Sequence, residues 1–370
     1  MPVAKGLPGN SLPVVIWDIG TAYDLFISLS VLHEPAKYGL RGAWAKGVRA
    51  RLSVDDREVL EQSMDLVWPV GWVHTLAEPK DGLTALRALE DIPPARRLQT
   101  ISALDEAPQE VRETLHRVAA RGVWDPSDRT ILRTALQSSG AKKPKPETLA
   151  AILEGWSRAA EFGERYLAAL YSYYDAFFAE EEIRIQPALE EALRGAKERS
   201  AQLRLPALLE ELSQGLRLSE LPPVPEIVLA PSFWCTPLLV FARVHAERHL
   251  YLFGARPSDA SLVPGEVVPD TLMRALKALG DPTRLRILRH LAQEPMSPTQ
   301  LARRLRLRAP TVIHHLDVLR MAQLVHLTLG VGEKRRYAAR TQAIAATFGD
   351  LEGFLCVQGD RTDAIEHQEM

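Results

Sequence analysis

Along the first 220 residues, apolar side chains return every three or four positions, the spacing of helices that bury one face. A short β-like run, "PVVIW", precedes "TAYDLFISLSVL", where Tyr23, Phe26, Ile27 and Ser30 fall at helical spacing. Asp125-Pro126 and Pro146-Glu147 predict helix starts, because proline is tolerated in the first turn. "QSSGAKKPKPE" (Gln137 to Glu147) reads as a loop. From Pro146 to Leu203 the pattern predicts long helices, broken near Gln186-Pro187. Inside that stretch Tyr166, Tyr171, Tyr173, Tyr174, Phe177 and Phe178 crowd together. The plain expectation is a helix buried on most sides. The sharper one is a pocket for a small apolar effector, lined by Tyr171, Tyr173, Tyr174 and Phe177.

The period changes after Pro222. "EIVLA", "PLLVFARV" and "HLYLFG" are β-prone and predict a small antiparallel sheet. "ARPSDASLVPGEVVPD" follows as the clearest boundary. The expected class is mainly α, in three parts. A helical N-terminal domain over 1–220 serves as sensor or dimerisation element, a β-sheet segment covers 221–258, and a further module covers 266–358.

That module is dense in signals. "DTLMRALKALG" sets Leu272, Leu276 and Leu279 in a stripe, with Asp270 as cap and Gly280 as stop. In "DPTRLRILRHL" Asp281 caps, and Leu285, Leu288 and Leu291 form the stripe. Ser297 and Gln300 have capping-box spacing. "RAPTVIHHLDVLRMAQL" buries Val312, Leu316 and Leu319, which leaves Pro310, Thr311, Ile313, His314 and Asp317 on the opposite side. "LVHLTLGVGEKRRYAA" reads as two strands around a glycine-containing turn. Two helices joined by a tight turn, then a hairpin, make a C-terminal winged helix-turn-helix.

Charge sharpens this picture. The formal net charge is only -2, yet Asp270 to Arg340 holds 14 Lys/Arg against 5 Asp/Glu, a balance of +9. The remainder, with 31 basic and 42 acidic residues, stands at -11. A polyanionic partner is expected for the C-terminal part alone. No apolar run approaches the roughly 18 residues that span a bilayer. The first residues, "MPVAKGLPGNSLP", lack the apolar core of a secretion signal, so the expectation is a cytoplasmic protein. Cys235 and Cys356 give no disulfide framework.

"LKALGDPTRLRILRHL", "SPTQLARRL" and "TVIHHLDVLRMAQLV", followed by the glycine-containing wing, resemble the ArsR-type winged-helix transcriptional regulators. The resemblance covers about Asp270 to Leu355. It implies a homodimer, usually repressing, paired through "DTLMRALKAL" and "AIAATFGDLEGFL", with Leu272, Leu276, Phe348 and Leu351 as candidate interface residues. Ile313 stands where the family commonly has serine, and Arg308 where a small polar residue often opens the recognition helix. Operator contacts therefore do not carry over residue by residue. "YDLFISLSVLHEPAKYGLRGAW" and "APSFW" resemble, more weakly, an N-terminal extension of some larger ArsR-type regulators, which implies no known ligand.

The paired His314 and His315 project about 100° apart, so alone they cannot form a metal-binding pair on one face. ArsR-type metal sensors commonly carry Cys-x-Cys before the recognition helix, and "SPTQLARRL" has none. "HAERH" spaces His245 and His249 for a metal, but its β-prone flanks predict a polar hairpin turn. No metal or other cofactor is expected. His314 is expected to meet base edges or phosphate, and His315 to contact backbone or brace the helix. Thr311 and Ile313 share the reading face. Arg303, Arg304, Arg306 and Arg308 around the turn, with Lys334, Arg335 and Arg336 on the wing, are expected to neutralise phosphates of double-stranded DNA. The leading expectation is a dimeric, sequence-specific regulator on a palindromic operator, and not an enzyme. The alternative is an enzyme or ligand-binding scaffold with an accessory winged helix, although the helical region shows no phosphate loop, metal motif or nucleophile elbow.

Overall fold

The computed structural model describes residues 12–38, 42–102, 104, 107–138, 145–257, 260, 268–330 and 335–356. The chain divides into two compact units: Met1–Leu193 with Pro223–Cys235 and Val240–Ala255, and Arg194–Pro222 with Thr236–Leu239 and Arg256–Met370. The described strands are β1 (Val14–Trp17), β2 (Leu216–Leu218), β3 (Glu226–Ser232), β4 (Val240–His245), β5 (Arg248–Gly254), β6 (Val325–Leu329) and β7 (Arg336–Ala339). The mainly helical class holds, with two small sheets. Among the described residues no helix is long and apolar enough to cross a membrane.

In the first unit the sheet order is β1-β3-β5-β4. The three runs expected to pair antiparallel do so only between β4 and β5, whereas β1, β3 and β5 run parallel. The reason lies in burial. β3 and β5 are enclosed along nearly their whole length, the environment of parallel strands, which read as continuous apolar runs. Helix α1 (Ala22–His33) is buried on almost every side, so its two polar insertions need partners. Asp24 accepts from Ser232 Oγ at 2.6 Å and from the N–H groups of Phe233 and Trp234. Ser28 accepts from the Tyr173 hydroxyl at 2.9 Å.

Tyr173 ends α2 (Ala159–Tyr173), which passes through a π-helical turn at Tyr174–Phe178 into α3 (Ala179–Ser200). The break expected at Gln186-Pro187 is absent: Pro187 sits inside α3, and the departure from α geometry comes earlier, at the π turn. Helices do begin at Pro126 and Pro146; the loop expected between them lies largely outside the described residues.

The second unit contains α4 (Leu205–Leu212) and β2, then α5 (Asp270–Leu279), α6 (Pro282–Leu291), α7 (Pro298–Leu305), α8 (Ala309–Met321), the β6–β7 hairpin and α9 (Thr341–Cys356). Residues 194–222, expected with the helical N-terminal region, thus belong with the winged helix. The core gathers Ile287, Leu288 and Leu291 of α6, Leu301 and Leu305 of α7, and Val312, Leu316 and Leu319 of α8. Leu285, expected in the α6 stripe, is exposed. It lies about 200° around the helix from Ile287, which takes the inward position instead. Asp270 occupies the first turn of α5, whose cap is Pro269.

Candidate nucleic-acid interface

Local chemistry fixes the two helices of the turn. The Ser297 Oγ accepts from the Gln300 N–H, and the Gln300 side chain accepts from the Ser297 N–H at 2.8 Å, closing the capping box of α7. α7 ends at Arg306, whose φ of 56° and ψ of 42° lie in the left-handed region. That reversal lets α8 start at Ala309. Val312, Leu316 and Leu319 are fully buried, so the opposite side of α8 is held outward. Thr311, Ile313, His314 and Asp317 are exposed, Ile313 to 45%. An exposed isoleucine on a helix with a complete core face is surplus to folding.

His314 and His315 stand with ring centroids 5.9 Å apart. They face differently: His314 is exposed, while His315 is half-buried and its Nδ1 has no hydrogen-bond partner among the described residues. Arg303, Arg306 and Arg308 are exposed around the turn. Arg304 pairs with Glu294 at 2.7 Å, both half-exposed, a contact worth only about 0–1 kcal/mol and readily exchanged for a phosphate. Arg335 and Arg336 are exposed on the wing, and Lys334 lies outside the described residues.

Two devices hold the wing. Met296 and Tyr337 exchange backbone hydrogen bonds of 2.9 and 2.8 Å, tying β7 to the segment before α7. β2 adds a third, parallel strand beside β6, pairing Leu216 with Leu327 and Leu218 with Leu329. Sequence reading missed β2, since "LRL" is too short to show a period. The one local signal is Gly215, whose φ of 117° suits glycine and marks the turn into it.

A family model described as a helix-turn-helix domain matches residues 279–328. The HTH-type transcriptional regulator Rv2034 of Mycobacterium tuberculosis is 40% identical over 81 residues, which is 22% of this chain and 75% of that relative. The chain belongs to the helix-turn-helix transcriptional regulators.

In this helix-turn-helix regulator α7 and α8 are the matched pair, and DNA-binding regulation of transcription is the function they carry. The other residues singled out from sequence fall in different settings. Leu272 is buried within the single chain and Leu276 is half-buried. On α9, which packs on α5, Phe348 is 54% exposed and Leu351 half-buried. The aromatic stripe is packed rather than open. Tyr173 and Tyr174 are buried, and their hydroxyls donate to Ser28 and to Glu182. Phe177 lies edge-on to Trp44 and Trp234, each at 5.8 Å. Tyr171 is half-buried and donates to Glu90. "HAERH" is the turn between β4 and β5, and among the described residues no group of three His, Cys, Asp or Glu could hold a metal ion.

Proposed function

We propose that this regulator is of ArsR type: a repressor that binds a palindromic operator as a homodimer and carries out no catalytic step. The exposed face of Thr311, Ile313 and His314, on a helix whose other face is locked into the core, carries the reading. Thr311 and His314 offer hydrogen bonds to base edges in the major groove, and Ile313 offers an apolar surface to a thymine methyl. Arg303, Arg304, Arg306, Arg308, Arg335 and Arg336 supply phosphate contacts on either side. His315, with its ring partly inside, braces α8. Phe348, an exposed aromatic ring midway along α9, supports that helix as a dimer surface together with Leu351 and α5. The packing of Tyr173 and Tyr174 favours core over effector pocket for the aromatic stripe.

Operator affinity measured against salt tests this reading. His314→Ala should cost about 1–3 kcal/mol on operator and blur one position per half-site. Arg335→Ala should weaken operator and scrambled duplex alike and lower the salt slope by about one. Equal losses on both duplexes for His314→Ala would mean that the histidine grips backbone and reads no base.

A further inference from the structure

The second unit holds a partly open cavity of about 380 Å³, walled by α5, the end of α8, α9 and the segments around Gln214 and Arg256. Among the described residues three guanidinium groups line it, those of Arg256, Arg274 and Arg340, against one carboxylate, Asp350. Arg256 is only 5% exposed. Arg274 donates through Nη1 to the Met321 carbonyl at 3.4 Å, and its buried Nη2 finds no acceptor among the described residues. Arg340 donates to the carbonyls of Gln214 and Gln323, at 2.7 and 2.8 Å. The charges of Asp270 and Glu210 favour the protonated forms of Arg274 and Arg340, but burial, the larger influence, holds both guanidinium groups below their ordinary pKa. Arginine stays protonated even so. Positive charge gathered largely out of water, with a buried donor of Arg274 left over, is costly unless an anion completes it.

We propose that this cavity binds a small anion bearing a carboxylate or a phosphate, gripped by the guanidinium forks of Arg274 and Arg340 with Arg256 beside them. The planar fork matches either headgroup in bidentate fashion. At this volume the cavity takes a metabolite-sized molecule, larger than the headgroup alone. The two arginines also bond the carbonyls of Met321 and Gln323, at the C-terminal end of α8. An anion that draws them away bears on the helix that presents Thr311 and His314. That consequence rests on the DNA-binding reading; the binding itself does not.

The test is calorimetric titration of the full chain, free of DNA and at constant ionic strength, with inorganic phosphate and separately with succinate. At least one should bind with one site per chain, and the tighter of the two identifies the headgroup. Arg274→Gln should weaken that binding at least tenfold. Asp350→Asn, a change at an exposed position, should tighten it several-fold by removing the one carboxylate among the described lining residues, and it decides the matter if Arg274→Gln does not fold. No heat from either anion overturns the proposal, as does unchanged affinity in Arg274→Gln or in Asp350→Asn. Operator binding measured in parallel separates failure of this site from failure of the regulator reading.

Discussion

Asp18 and Arg306 show two uses of charge. Asp18, at the end of β1 in the first unit, is buried and accepts from Lys80 Nζ at 2.8 and 2.7 Å and from the Tyr23 hydroxyl at 2.7 Å, with His74 completing its surroundings. Burial alone would raise its pKa, but the bonds from His74, Lys80 and Tyr23 outweigh that and hold it at about 2. Arg306, in the turn of the second unit, is exposed and held in a left-handed conformation that disfavours it. The first unit uses ions to complete an interior. Around its turn the second leaves cations at the surface, in positions that folding does not require, and those are the ones available to a polyanion.

The comparison breaks most sharply at Lys80. Lys80→Met leaves the Asp18 carboxylate in a buried site without its cation, which should destabilise the first unit by about 3–5 kcal/mol. Arg303→Gln, at an exposed position, should move stability by less than about 0.5 kcal/mol. Urea unfolding of both variants measures the contrast. Similar midpoints would show that the Asp18 cluster is not the interior anchor its geometry describes.

Asp24 sharpens the same contrast through pH. Desolvation is the largest influence on its carboxyl and pushes it up to about 7, against the lowering effect of Ser232, Trp234 and Phe233. In the unfolded chain the group titrates near 4. Its folded pKa is raised, so its stabilisation is full below about pH 4, declines as pH rises, and is gone above about 7. About three units correspond to a swing on the order of 4 kcal/mol. Asp24→Asn removes the titration, so the difference in unfolding free energy between wild type and variant should drift steadily from pH 4 to 7 and then level. Parallel curves for the two proteins would place the titration elsewhere.

The two units also differ in how much of them could be read from sequence. The winged helix is built from local rules: Ser297 and Gln300 are three residues apart, Asp281 caps the helix that follows it, and Val312, Leu316 and Leu319 share one turn pattern. Its outward face could therefore be placed by geometry alone. Leu285 was misplaced because two arcs of α6 fit the same spacing, and Asp270 by one position, into the first turn behind Pro269. The first unit's sheet depends on Val14 meeting Glu226, and the wing's third strand on Leu216 meeting Leu327. No local period encodes such pairings. The arginine cavity is of the same kind, since Arg256, Arg274 and Arg340 come from separate segments with ordinary surface-like sequences.

A small expected effect on stability is also the most discriminating. The Arg306 N–H closes α7 onto the carbonyls of Ala302 and Arg303, a role that any residue except proline fills. A side chain in the left-handed region costs about 1–2 kcal/mol, and glycine escapes that cost at the expense of greater freedom in the unfolded chain. Arg306→Gly should therefore leave stability within about 1 kcal/mol of wild type, on the stable side. The exposed guanidinium would be gone, so affinity for DNA should fall on operator and scrambled duplex together, with a salt slope lower by about one. Lys80→Met loses stability through a charge that meets no partner outside the fold; Arg306→Gly should lose binding through a charge that the fold does not need. Unfolding curves and DNA titrations of Arg306→Gly decide it. A variant that unfolds early, or that binds duplex at every salt concentration as wild type does, would return Arg306 to an ordinary turn residue.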